Sequence, residues 1–197
     1  MARAPTRPPG PLSNRRPSRR RTYTPEQFLQ LESEAGFVYE LDDAGYLEER
    51  HLGQQSDEVA MAIVAALFAY AGGRGRVFGG GTGLQIFPDR PRRIPRCDAA
   101  YISFARLPDA VKGHLRVPPE LAVEVVSPGD NASVLERKVQ EYLGAAVLRV
   151  WVVYPDEKTV TVRRPDGTST ILGVNDEISG EDAVPGFSAR VADFFPG

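Results

Sequence analysis

Six consecutive residues, Leu121-Ala122-Val123-Glu124-Val125-Val126, restrict the fold of this chain more than any other segment. All but one are apolar, and Ser127-Pro128-Gly129 stops the run. A short apolar run bounded in this way reads as a strand buried on both faces, in the middle of a sheet. A helix is predicted next, from about Asn131 to Leu143, followed by a strong strand from Leu148 to Tyr154. This strand–helix–strand unit, with helices and strands mixed along the rest of the chain, indicates an α/β (α+β) fold.

The domain is expected to begin near Thr22. Thr24-Pro25-Glu26-Gln27 has the form of a helix start, with Thr24 as cap, Pro25 in the first turn and Gln27 completing a capping box. That helix is expected to run to about Glu34 and end at Gly36. Phe37 to Leu41 and Tyr46 to Arg50 flank Asp42-Asp43-Ala44-Gly45 as a hairpin. Val59, Ile63, Leu67 and Tyr70 recur at helical spacing, which predicts a helix from about Ser56 to Tyr70. Short strands are predicted at Arg76–Phe78 and Leu84–Phe87, either side of a flexible glycine-rich hairpin turn at 79–83. A further strand is expected at Asp98–Phe104. A meander with strands near 159–164 and 168–172 follows, and Val184 to Phe187 and Val191 to Phe195 are expected to pack onto the core.

The 197 residues are enough for one ordinary domain. The longest apolar stretch, Val59 to Ala71, is shorter than the roughly 18 residues of a membrane span. The single cysteine, Cys97, cannot form a disulfide within the chain. With only His51 and His114 beside it, a cysteine/histidine zinc site lacks ligands. The N-terminus has no apolar signal core, and a reducing cytoplasm is the expected compartment. Residues 1–21 hold seven arginines and no acid, leaving 17 basic residues against all 26 acids in 22–197, a net of −9. The tail is proline-rich and is predicted to be disordered. It is expected either to tether the protein to nucleic acid through phosphate contacts or to be a solvated extension.

Three side chains suggest chemistry. Glu124 lies among apolar neighbours, where a carboxylate is costly unless paired or bound to metal. Strand alternation puts it on the face of Ala122 and Val126, opposite Leu121, Val123 and Val125. Asp98 opens the strand that follows the polar stretch Arg90 to Arg96, where it would face a cleft. Lys138 falls on the apolar stripe Leu135, Lys138, Val139, Tyr142, in a chain with 21 arginines and only three lysines. Two carboxylates can hold a hard ion such as magnesium or manganese through oxygen, with water and a phosphate oxygen completing the shell. A nearby lysine can orient the attacking water or stabilise charge developing on the phosphate. For Glu124 alone, the competing reading is a structural carboxylate paired with an arginine.

Asp98, the segment Pro119-Glu120-Leu121-Ala122-Val123-Glu124-Val125-Val126-Ser127-Pro128, Lys138 with Glu141-Tyr142, and Val150-Trp151-Val152-Val153-Tyr154-Pro155 together resemble the Uma-type restriction endonucleases. These belong to the PD-(D/E)XK nuclease superfamily. Thr24 to Phe28, Tyr39-Glu40-Leu41 and Pro185-Gly186-Phe187 are similar too, so the resemblance covers roughly residues 22–196. It implies a four- or five-stranded mixed sheet flanked by helices, a metal site at Asp98 and Glu124, and Glu40 as a helper carboxylate. The superfamily pattern has proline before the first acid, where this chain has Cys97, and lysine two residues after the second, where it has Val126. Lys138 would supply that ammonium from the following helix. Such sequences often carry a histidine before the Val59–Tyr70 helix, whereas here Gln55-Ser56-Asp57-Glu58 stands there and His51 lies upstream. The expected activity is magnesium-dependent DNA cleavage, with a homodimer expected by analogy. The competing class, suggested by Cys97 and the acidic body, is a non-catalytic nuclease-fold module that binds nucleic acid or a protein partner.

Overall fold

A mixed sheet with strand order β3-β4-β5-β6-β7-β8 forms the spine of the domain. Its strands are β3 (Gly75–Gly79), β4 (Ala99–Ser103), β5 (Leu121–Val125), β6 (Arg149–Tyr154), β7 (Thr159–Arg163) and β8 (Ser169–Leu172). The computed structural model describes residues 21–31, 37–51 and 53–195. The predicted tail, up to residue 20, lies outside those residues, and so does Gly36; the first helix, expected to run to about Glu34, already ends at Leu29 with Gln30 as its C-cap. Only β5 and β6 are parallel, and all other neighbours run antiparallel. The sheet therefore has one strand more than the upper number the resemblance implied.

The parallel pair follows from what joins it. Helix α3 (Ala132–Gly144) carries the chain from the end of β5 back to the start of β6. Asn131 caps this helix by accepting the backbone N–H groups of Ser133 and Val134, at 2.9 and 3.3 Å. Helix α2 (Gln54–Ala71) covers the opposite face of the sheet. Val59, Ile63 and Leu67 of α2 pack with Leu121, Val123 and Val125 of β5. Ala122 points the other way, into a second cluster with Val139 and Tyr142 of α3. The alternation read from the sequence is thus realised, and it sets Glu124 on the α3 side.

The hairpin of β1 (Phe37–Leu41) and β2 (Leu47–His51) forms as expected, with Leu41 opposite Leu47 and Glu40 opposite Glu48. Tyr39, Leu41 and Leu47 join Tyr23, Phe28 and Ile94 in a third apolar cluster. The predicted capping box is present in α1 (Pro25–Leu29), where Thr24 Oγ1 accepts the Gln27 N–H at 3.2 Å and Gln27 Oε1 accepts the Thr24 N–H at 3.1 Å. At the other end of the chain, Phe187 and Phe194 pack on Trp151, with ring centroids 5.8 and 6.2 Å apart. Two short strands, Glu177–Ser179 and Ser188–Arg190, pair there as a separate ribbon that the sequence reading did not anticipate. Among the described residues, no helix is long and apolar enough to cross a membrane.

A strand expectation also fails. Leu84–Phe87 is not a strand and does not pair with β3, whose partner is β4. The segment makes only isolated bridges, Gly83 to Arg96 and Leu84 to Leu115. Leu84, Ile86 and Phe87 all bury into the α3-side cluster, which strict alternation would forbid, and Pro88 follows without an N–H to donate. Nor is all of the glycine-rich segment free to flex. A Cβ on Gly83 would stand 2.6 Å from His114 Nδ1 and 2.7 Å from the Ile94 side chain. The His114 ring is itself fixed by a 3.2 Å contact to the Pro25 carbonyl and by stacking on Phe28.

Gly83→Ala is therefore expected to cost about 1–3 kcal/mol through overpacking. Gly81→Ala, where a Cβ meets nothing within 4 Å, is expected to change stability by less than about 0.5 kcal/mol. Urea unfolding of both variants, read as midpoint shifts at constant slope, checks the pair.

Candidate active site

Glu124 is almost fully buried, and both of its oxygens are occupied. Oε1 accepts the Tyr142 hydroxyl at 2.9 Å, and Oε2 accepts Lys138 Nζ at 3.0 Å. Both donors come from α3, one helical turn apart, on the stripe that faces the sheet. Lys138 is buried as well. Its ammonium donates to Glu124, to Glu40 Oε1 at 2.6 Å and to the Arg96 carbonyl at 2.6 Å, which uses its three protons. Glu40 reaches this point from β1, so the ammonium ties the hairpin, the central strand and the helix together.

Asp98 stands just before β4 and extends its pairing with β5. Its N–H donates to the Val123 carbonyl at 2.8 Å, and its Oδ2 accepts the Val125 N–H at 2.7 Å. Held against the end of β5 in this way, the carboxylate faces Arg50 of β2. The guanidinium embraces Asp98 through two nitrogens. Nη2 donates to Oδ1, and Nη1 lies 3.2 Å from Oδ2. The same Nη1 lies 3.4 Å from Glu124 Oε2.

Burial is the largest single influence on the buried charges, and of the two acids beside Lys138 it prevails at Glu124. It pushes the Glu124 carboxyl up to about 7, against the pull of Lys138, while the Asp98 charge adds to the rise. Glu40 is equally buried, yet Lys138, Arg93 and Arg50 outweigh desolvation and hold it below the usual carboxylate range. Desolvation opposes the Lys138 ammonium, but Glu124 and Glu40 raise it well above an ordinary lysine. The Cys97 thiol is pushed up by burial and by Glu124, so it stays neutral beside the acids.

The four residues singled out by sequence and resemblance, Asp98, Glu124, Lys138 and Glu40, are brought together. Sequence reasoning missed Arg50, Arg93 and Tyr142. Arg93 is buried and donates to Glu48 Oε2 at 3.1 Å and to Glu141 Oε2 at 3.1 Å, with Glu40 Oε2 3.7 Å away. A usable signal lay in the hairpin register. Glu40 and Glu48 stand directly opposite each other, and two like charges so placed call for a cation between them.

The site opens into a cleft of about 570 Å³ between the hairpin and the start of α3, lined in part by Glu48, Glu49, Ser127 and Asn131. Among the described residues, no group of three or more His, Cys, Asp and Glu is arranged to hold a metal ion. Asp98 and Glu124 are the two carboxylates here that could hold a hard divalent ion. Arg50 Nη1 lies within 3.2 and 3.4 Å of an oxygen of each, so one positive group already sits between the two carboxylates. A two-carboxylate set suits an ion of the magnesium type, which keeps several waters and takes further oxygens from phosphate.

Comparison with known proteins places this geometry in context. A crystal structure from Anabaena variabilis, described as "a putative nuclease belonging to DUF820", superposes with a TM-score of 0.71 at 18% identity, covering 88% of this chain and 97% of that one. At that identity the likeness establishes the fold. No curated protein matches significantly. The profile of the Uma2 family, described as "Putative restriction endonuclease", matches residues 25–192. A match over that span, across the whole sheet and every residue of the buried charge cluster, means that the chain belongs to the Uma2 family.

Proposed function

We propose that this chain is a metal-dependent endonuclease that hydrolyses phosphodiester bonds of DNA. The chief support is the convergence of Asp98, Glu124 and Lys138 from three separate segments, with Glu124 and Lys138 in the wall of one cleft. Family membership and the nuclease neighbour agree with it. Asp98 and Glu124 would hold a magnesium or manganese ion. When bound, such an ion polarises a phosphate and acidifies a water. The protein's own groups do the positioning. Tyr142 fixes Glu124 Oε1, Lys138 fixes Oε2, and Glu40 holds the ammonium in place. Lys138, in the wall of the cleft, would offset through its charge the negative charge developing on a phosphate. The same proposal takes the protein to act on DNA in the cytoplasm, with the arginine-rich residues 1–21 adding phosphate contacts and a second copy cutting the opposite strand.

One observation favours the competing reading, a non-catalytic nuclease-fold module that binds nucleic acid or a protein partner. Arg50 already neutralises Asp98 and Glu124 from within the chain, as a purely structural network would require. Plasmid nicking separates the two. The wild-type chain is expected to nick supercoiled plasmid with magnesium or manganese, and Glu124→Ala is expected to lose the activity. Equal residual nicking by both would mark a contaminant and leave the module reading standing.

Lys138→Met tests the ammonium itself. It strands Glu40 and Glu124 without their shared cation, and the expected loss is about 3–5 kcal/mol of stability by urea titration. In the fraction that remains folded, nicking is expected to fall by about 10²–10³-fold. Removing residues 1–20 is expected to leave the melting temperature unchanged and to flatten the salt dependence of DNA binding. A melting temperature lowered by several degrees would show the segment to be part of the folded domain.

A further inference from the structure

Arg50 reaches two acids of the site, but one of its N–H groups meets no acceptor there. Its Nε is buried and makes no hydrogen bond, although Nη1 and Nη2 both do. An unmade hydrogen bond on a buried charged group works against the seat it occupies. Arg50 also lies near the end of β2, in the wall of the cleft, with Gly53 and the start of α2 just beyond. A rotation of its flexible side chain would carry the guanidinium into that cleft without disturbing the strand.

We propose that Arg50 occupies the cation position of the ion-free site and competes with the divalent ion for Asp98 and Glu124, leaving when a nucleic-acid phosphate enters the cleft and draws its guanidinium away. This rests on the metal-binding role proposed above for those two acids. Arg50 pairs with Asp98 and reaches Glu124, and Lys138 is shared by Glu124 and Glu40. Adding a divalent ion with the guanidinium in place would set two cations against the same carboxylate oxygens in a largely buried site, where their repulsion is poorly screened. Nη1 also stands where the two carboxylates converge, so ion and guanidinium exclude each other sterically. A phosphate is a better partner for the released fork than water, because its oxygens accept two parallel N–H bonds. Ion and nucleic acid would then bind cooperatively, each favouring the Arg50-withdrawn state.

The test is calorimetric titration of manganese into the full chain, with and without a short duplex carrying phosphorothioate linkages that resist cleavage. Arg50→Gln is expected to bind manganese at least about 10-fold more tightly than wild type, a difference of about 1.4 kcal/mol. The duplex is expected to tighten manganese binding to wild type and to have a much smaller effect on Arg50→Gln. Manganese is also expected to raise the melting temperature of the variant by more than that of wild type, a readout independent of activity. Should Arg50→Gln not fold, Arg50→Lys, which keeps the charge but loses the fork, is expected to bind manganese more tightly than wild type and to show weaker coupling to the duplex. Equal or weaker manganese binding by the Arg50 variants, with binding abolished in Asp98→Asn, would overturn this inference alone. No manganese binding by any of the proteins, or binding indifferent to Asp98→Asn, would overturn the metal site and the inference with it.

Discussion

The ammonium of Lys138, clasped between Glu40 and Glu124, is the contact on which the rest of the site depends. It joins three elements far apart in sequence, the first hairpin, the central strand and the helix that follows it. Such a cluster is not an economical source of stability, because each buried charge loses its hydration and the pairings largely offset that loss. Its effect is on register. The apolar contacts of α3 with the sheet would tolerate a small sliding or rotation of the helix. The three acceptors around Nζ would not, since displacement leaves a charge unpaired in a medium of low dielectric.

The same logic extends outward through Arg93 and Arg50. Arg93 fills the gap between Glu48 of the hairpin and Glu141 of α3, and Arg90 adds a second contact to Glu141 at 2.8 Å. Arg50 closes the other side by reaching Asp98 and Glu124. Acids on β1, β2, β5 and α3 thus surround a small number of internal cations. The body of the protein is acidic, and near the cleft that acidity is compensated from within. This explains how a chain with net −9 outside its arginine-rich tail can keep carboxylates close together beneath the cleft.

The apolar core supplies the rigidity these placements require. β5 is covered by α2 on one face and α3 on the other, so its backbone is fixed on both sides. Phe187 and Phe194 close the α2 side over Trp151, and the Tyr70 hydroxyl donates to the Pro185 carbonyl, anchoring the C-terminal segment to the end of α2. A site built on the central strand of a sheet covered on both faces is held more firmly than one built on loops. That is the service the architecture renders to Glu124 and, through the extended pairing of Asp98 with β5, to Asp98 as well.

Much of this arrangement could be read directly from the chain, because it depends on local periodicity. The two-residue repeat of 121–126 alone determined that Glu124 faces away from Leu121, Val123 and Val125. The helical spacing of Leu135, Lys138, Val139 and Tyr142 alone determined that the lysine turns inward. The capping box at Thr24 and the turn of the first hairpin were equally local. What only the tertiary structure decided is which distant partner each group meets. β3 pairs with β4 and not with 84–87, because pairing depends on what lies alongside after collapse and the glycine-rich link does not dictate it. Arg50 and Arg93 took their places for a related reason. An arginine has several rotatable bonds and many possible acceptors, so its position in the chain says little about where its charge will rest. Burial of the acids selects the partner, and burial is a property of the assembled layers.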